Sequence, residues 1–314
     1  MQEKGKMKRF LYLLFILFIL ISCSAEDTAE EFSVVAVDFP SFDAARAILG
    51  GDDNLTMLLP PGTESHSYDP TPRDMVRLSE SDLVIYTGGP SDAWVDSILS
   101  SLENPPASFV LTRQVELLSE EKKEGMEADE HEGHEHDQHE IDEHVWTSPV
   151  NEMTIIRNLA SLLETINPEE AVSYEANAEE YIGKIEGLDH KIREVVDNAP
   201  RRTLIFASRF PLLYFVREYD LDYYAAFPGC AEETEPSAKT VAFLIDKAEE
   251  LDVPCILNIE LSSDMIARVI ASEAGCGIRT FNTLHNVTAA DFHQGKTYID
   301  LMGENLDVLR EALY

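Results

Sequence analysis

Seven residues, Tyr174, Ala178, Tyr181, Ile185, Leu188, Ile192 and Val195, follow one another at spacings of four, three, four, three, four and three. That period keeps them on one stripe of an α-helix. Asn167 offers an N-cap and Pro168 the first helical position, so the pattern predicts a helix over 168–198. At the standard rise per residue this is a rod on the order of 45 Å long. Such a rod exceeds one small lobe and suits a strut lying along two. The chain has no second heptad stretch to pair with it.

On either side of the rod, short apolar runs alternate with longer amphipathic ones. Before it, strands are predicted over 33–37, 55–59, 83–86 and 108–111, with helices over 42–49, 73–79, 94–102 and 152–165. After it, strands are predicted over 203–206, 223–227, 255–259 and 278–281, with helices over 210–218, 238–251, 264–274 and 298–312. Strands separated by helices argue a parallel sheet covered on both faces. The expected fold class is α/β: two lobes, each a parallel sheet flanked by helices, joined by one long helix. The expected boundaries are 32–166 for the first lobe, 167–198 for the link and 199–314 for the second. Ligands of open α/β sheets bind beyond the carboxyl ends of strands, so the cleft between the lobes is the expected site.

The chain starts with Lys4, Lys6, Lys8 and Arg9, then an apolar run over 10–21. Twelve residues is too short to span a bilayer as a helix but matches the core of a signal peptide. The run ends in Leu20-Ile21-Ser22-Cys23, which resembles the lipobox of bacterial lipoproteins. That resemblance implies removal of 1–22, lipidation of Cys23 and a tether over 23–31. The remaining chain would sit on the outer face of the cytoplasmic membrane, held by acyl chains. The whole chain has a formal charge of −35, and removal of the leader brings it to −38. Such a surface repels nucleic acid and anionic headgroups and attracts cations.

Residues 116–143 break the alternation with thirteen acidic residues against two lysines, and read as a disordered insertion. Five of the nine histidines lie between Asp129 and Val145: His131, His134, His136, His139 and His144. Neutral imidazole is a preferred ligand of zinc and its neighbours, and the carboxylates draw divalent cations in. The first four form an auxiliary metal loop, suited to weak binding that raises the local metal concentration; the opposing reading is a tolerated surface loop.

Three histidines follow predicted strand ends or the end of the insertion: His66 in PPGTESHSYD, His144 in DEHVW and His285 in FNTLHNV. Oxygen candidates are Glu260, at the end of the strand over 255–259, and Glu233 or Glu235 in CAEETEPS. His190 inside the long helix and His293 in a polar turn read as structural. The chain has no HExxH and no Gly-x-Ser-x-Gly, and so lacks the marks of a hydrolase. Cys230, Cys255 and Cys276 match no zinc-finger spacing; two of them can pair in an exported protein, and the sequence does not say which. Cys255, in an apolar run, reads as a buried thiol.

The lipobox, PPGTESHSYDPTPRDM, the acidic histidine-rich loop followed by HVW, the long helix, EPSAKT and the terminal YIDLMGENLDVLREAL together resemble the solute-binding lipoproteins of zinc/manganese ABC transporters, of the ZnuA-like and TroA-like kind. The similarity covers essentially the whole chain after the leader. It implies a rigid, monomeric two-lobe receptor that captures Zn²⁺, or Mn²⁺, outside the cytoplasmic membrane and delivers it to an ABC permease. It also implies that His66 and His144 are the first two metal ligands. The family's third histidine falls where this chain has Arg209, in FASRFPLLYF. Arginine keeps its proton and cannot ligate. His285 is therefore expected to supply the missing nitrogen, with Glu260 as fourth ligand or as a partner of Arg209, and Glu233 nearby. Three imidazoles and one oxygen favour Zn²⁺ over Mn²⁺. The alternatives are a manganese-specific receptor of the same type, or a surface adhesin or zinc chaperone without transport.

Overall fold

A computed structural model describes residues 32–127, 141–229 and 235–314. Cys23, the histidines at 131, 134, 136 and 139, Cys230 and Glu233 lie outside the described residues.

The first lobe runs β1 (Val34–Ala36), α1 (Phe39–Leu49), β2 (Leu55–Met57), α2 (Pro72–Glu80), β3 (Leu83–Tyr86), α3 (Ala93–Ser101) and β4 (Ala107–Val110). All four strands are parallel, in the order β2-β1-β3-β4. The predicted elements are present, and two of the three helices begin at a capping side chain. Asp38 caps α1 through the Ser41 amide; Thr71 and Asp74 form a capping box on α2, with Pro72 at its first position. The sheet packs Val35, Val37, Val84, Tyr86 and Val110 against Leu58, Leu78, Val95 and Leu99.

The second lobe runs β5 (Thr203–Ile205), α6 (Leu213–Glu218), β6 (Asp222–Tyr224), α7 (Ala238–Glu250), β7 (Cys255–Ile259), α8 (Met265–Ala274), β8 (Gly277–Phe281), the short α9 (Ala289–His293) and α10 (Tyr298–Leu313). β5 pairs with β6 and β7 with β8, both in parallel. A Phe206–Leu257 bridge, with Ala207 N–H donating to Leu257 O at 3.0 Å, joins the two pairs. The resulting order β6-β5-β7-β8 repeats that of the first lobe. In both, the chain steps outward and then back past its first strand, which opens a crevice at the carboxyl edge. Cys255 is buried, Cys276 half-buried, and both are free thiols.

Between the lobes lie α4 (Pro149–Ile166), a 3-10 turn at Pro168–Glu170 and α5 (Ala171–Asp197). The 27 residues of α5 make a rod of about 40 Å. All seven residues of the predicted stripe are buried. They pack on α4, which supplies the apolar partner that no second heptad announced, and the rod also meets α1 and α10. Asn177 donates to the Ile48 carbonyl at 2.9 Å in the first lobe, and the Tyr314 hydroxyl donates to the Val195 carbonyl at 3.1 Å. Each stripe residue leaving water contributes roughly 1.5–3 kcal/mol for a large aliphatic side chain, and together these outweigh the modest helix propensity of the two glycines within α5, Gly183 and Gly187.

The acidic insertion departs from the expected disorder at both described ends. Asp142 N–H donates to Leu118 O at 3.0 Å, and Ser119 and Ile141 form an antiparallel bridge. The Tyr214 hydroxyl accepts from Leu118 N–H and donates to Asp142 O, each at 2.9 Å. Glu127 N–H donates to Ala226 O at 2.9 Å. Lys123 pairs with Asp222, and Arg217 with Glu121. Composition predicts disorder when a segment has nothing to bury. Here the second lobe supplies the charged partners Arg217 and Asp222 and backbone partners that the segment's own sequence does not show.

Candidate metal centre

His66 follows β2, His285 follows β8 and His144 ends the acidic insertion, and the three segments are bonded to one another. Asn286 Nδ2 donates to the carbonyls of Pro60 and Thr63, both at 2.8 Å, and Gly62 N–H donates to Val287 O at 2.7 Å. These bonds tie the His66 loop to the His285 loop. Trp146 Nε1 donates to Thr283 O at 2.9 Å and ties the 3-10 turn Val145–Thr147, which follows His144, to the same loop.

The result brings His66, His144 and His285 together, as the sequence predicted. Ring centroids are 5.8 Å apart for His66 and His144, 5.0 Å for His66 and His285, and 5.1 Å for His144 and His285. The fourth member is Glu143, which sequence reasoning missed. One ligand atom from each of the four lies within 4.8 Å of all the others. Glu143 Oε1 is 3.7 Å from His66 Nδ1 and 4.0 Å from His285 Nε2. Its other oxygen accepts from Ser91 N–H at 3.0 Å. Glu143 was counted among the acids of the insertion. The available signal was its place directly before His144, where ordered structure resumes.

Gly89 makes room for this carboxylate. A Cβ there would lie 2.0 Å from Glu143 Oε2, so no side chain fits. Asp142 orients the neighbouring ring: His144 Nδ1 sits 2.9 Å from Asp142 Oδ1, which also accepts from His144 N–H at 2.8 Å. A carboxylate only accepts, so Nδ1 carries a proton, and Nε2 is the nitrogen left to face the centre.

Glu260, the expected oxygen donor, does not join the group. Its carboxylate accepts from Thr283 N–H and Thr283 Oγ1, both at 2.7 Å, and from Leu284 N–H at 2.8 Å. Those bonds hold Leu284 at φ 63°, a left-handed conformation costly for a leucine, and so fix the turn that presents His285. Glu260 also does not pair with Arg209. Arg209 Nη2 meets Glu64 Oε1 at 2.7 Å instead. Glu235 is exposed, and so are His190 and His293.

Burial sets the protonation of the cluster. It drives His66 down to about 2, helped by the charges of Arg209 and His144. It drives His285 well below its ordinary value, again with His66, His144 and Arg209 contributing. For His144 burial pulls the same way, but the charge and hydrogen bond of Asp142, with Glu143, outweigh it and raise the value. Burial also raises Glu143. His66 Nε2, His144 Nε2, both nitrogens of His285 and Glu143 Oε1 are buried without a hydrogen-bond partner. Buried polar atoms are seldom left so, and here they converge. With His144 also in its neutral form, three imidazole nitrogens and one carboxylate oxygen make a donor set suited to a tetrahedral divalent cation. Bonds of about 2 Å need ligand atoms roughly 3.3 Å apart, so atoms now up to 4.8 Å apart would have to approach by as much as about 1.5 Å around such an ion.

Residues 34–312 match the model of the family described as ZnuA, zinc-uptake complex component A, periplasmic. The chain belongs to the ZnuA family. It is 31% identical over 293 residues to the high-affinity zinc uptake system protein ZnuA of Bacillus subtilis, covering 92% of this chain and 90% of that one. It is 27% identical to the zinc-binding lipoprotein AdcA of Streptococcus pneumoniae over 93% of its own length, and spans 58% of that longer protein. The crystal structure of the Zn(II)-bound ZnuA-like domain of the pneumococcal AdcA superposes with a TM-score of 0.74 at 25% identity, over 90% of this chain and 99% of that domain. In this chain the third imidazole of the cluster, His285, stands in the loop after β8, and Arg209 lies four residues past the end of β5.

Proposed function

We propose that this chain is an extracytoplasmic zinc receptor that captures Zn²⁺ at His66, Glu143, His144 and His285 and delivers it to an ABC permease for import. The observation that carries this is the convergence of one ligand atom from each of three imidazoles and one carboxyl group within 4.8 Å. Membership of the zinc-uptake family and the zinc-binding names of its relatives support the same reading. The N₃O donor set argues against manganese, which prefers oxygen-rich, six-coordinate sites. Cleavage before Cys23 and acylation of that thiol would hold the receptor at the outer face of the cytoplasmic membrane, as a monomer.

The three ligand loops are bonded to one another, so capture needs no large rearrangement. Ligation requires lone pairs, and burial keeps His66 and His285 deprotonated without metal, which removes one proton cost of binding. The test is metal loading of the purified mature protein with its histidine-rich loop removed over 128–140, followed by growth of a strain lacking the gene in zinc-depleted medium. One tight equivalent of Zn²⁺, much weaker Mn²⁺ and a growth defect relieved by added zinc are expected. Equal affinity for Mn²⁺, or no tight equivalent, would refute the reading.

A further inference from the structure

Arg209 is 6% exposed, and its Nε and Nη1 are buried without a hydrogen-bond partner. Its guanidinium meets Glu64, which precedes His66 by two residues and also accepts from His66 N–H at 3.3 Å. The bond crosses from the segment after β5 to the loop after β2, from one lobe to the other. A guanidinium cannot shed its proton, so it stands as a fixed positive charge beside the place where a dication would bind. A dication and a guanidinium in one buried centre repel strongly, because little water screens them. Glu64 is the carboxylate in contact with that charge.

We propose that Arg209 and Glu64 form an affinity-setting pair, in which Arg209 holds zinc affinity down and Glu64 shields the metal from it. The inference rests on the zinc reading of the His66–Glu143–His144–His285 centre. It assigns the two residues opposite signs. Removing Glu64 exposes the metal to the guanidinium, whereas removing Arg209 relieves the repulsion.

The experiment is a competitive zinc titration of the mature protein against a chromophoric chelator, for wild type, Glu64→Gln, Arg209→Met, the double variant and His285→Ala. Glu64→Gln is expected to weaken binding at least tenfold and Arg209→Met to tighten it about threefold or more. The double variant should lie within about threefold of Arg209→Met. The visible spectrum of the Co²⁺-loaded forms should stay that of wild type, because no ligand changes. A passive role as packing or as an interlobe tie predicts weakening by both single variants. Weakening by Arg209→Met, or an unchanged Glu64→Gln, overturns the proposal. His285→Ala separates the two levels: if it also binds as wild type, the metal site itself is misplaced; if it alone weakens binding, only the charge pair fails.

Discussion

Asp142 Oδ1 accepts a hydrogen bond from Nδ1 of His144 at 2.9 Å, and that bond decides which ring nitrogen faces the centre. Asp142 is itself held by the neck of the acidic loop, through its amide on Leu118 and its carbonyl on Tyr214. The second lobe thus orients an imidazole that belongs to the first.

Replacing that carboxylate by an amide lets the side chain donate as well as accept, and the tautomer is no longer imposed. Outer partners of ligating histidines are worth roughly 10–100-fold in metal affinity. Asp142→Asn is expected to weaken zinc by that factor with little change in metal-free stability. Chelator competition gives the first number and a thermal melt the second; an affinity equal to wild type would mean that the tautomer is set elsewhere.

Gly89 has a sharper requirement. An alanine Cβ would overlap Glu143 Oε2 at 2.0 Å and also crowd Glu143 Cβ at 2.4 Å. Gly89→Ala therefore has to push Glu143 out of the group or shift the turn after β3. Overpacking of this kind costs about 1–3 kcal/mol. A lower melting temperature and a weaker zinc site are expected together. A variant that melts and binds like wild type would show that this turn yields freely.

Much of this was legible in the sequence, and the failures have physical causes. The stripe from Tyr174 to Val195 is buried as its period required, because a seven-residue pattern reports directly on one face of a helix. His66 and His285 meet because the loops after β2 and β8 both leave the carboxyl ends of parallel strands. Glu260 satisfies that same rule but lies elsewhere, since the Thr283 and Leu284 donors of its own lobe claim both its oxygens. Glu143 and the Arg209–Glu64 pair depend on how two lobes face each other. Residues 145 positions apart leave no local pattern.

Glu260→Gln separates a ligand from a support. Its amide cannot accept from three donors with both ends, so the strained turn at Leu284 loosens while the four ligand side chains remain. The Co²⁺ complex should keep the band energies of wild type and bind roughly 10–100-fold more weakly. A shifted ligand-field spectrum would instead make Glu260 a ligand.

Glu152 makes stability depend on pH. Burial first, then the charges of Asp43 and Asp38, raise its pKa well above the ordinary value of 4.5. The unfolded chain ionises Glu152 near 4.5, whereas the folded protein keeps it protonated. The folded state is therefore fully favoured by this group below 4.5, and the contribution is lost as pH rises toward the raised value. Glu152→Gln mimics the neutral acid and removes the dependence. Its melting temperature relative to wild type should climb between pH 5 and pH 8. A difference that stays flat across that interval would show that Glu152 ionises freely in the fold.

The measurement that bears most directly on the centre is zinc affinity of His285→Ala beside wild type, by chelator competition on protein lacking 128–140. Loss of one of three nitrogen ligands is predicted to weaken binding by about a hundredfold or more. Binding as tight as wild type would contradict the assignment, because the imidazole lying 5.0 Å from His66 and 5.1 Å from His144 would then hold no metal.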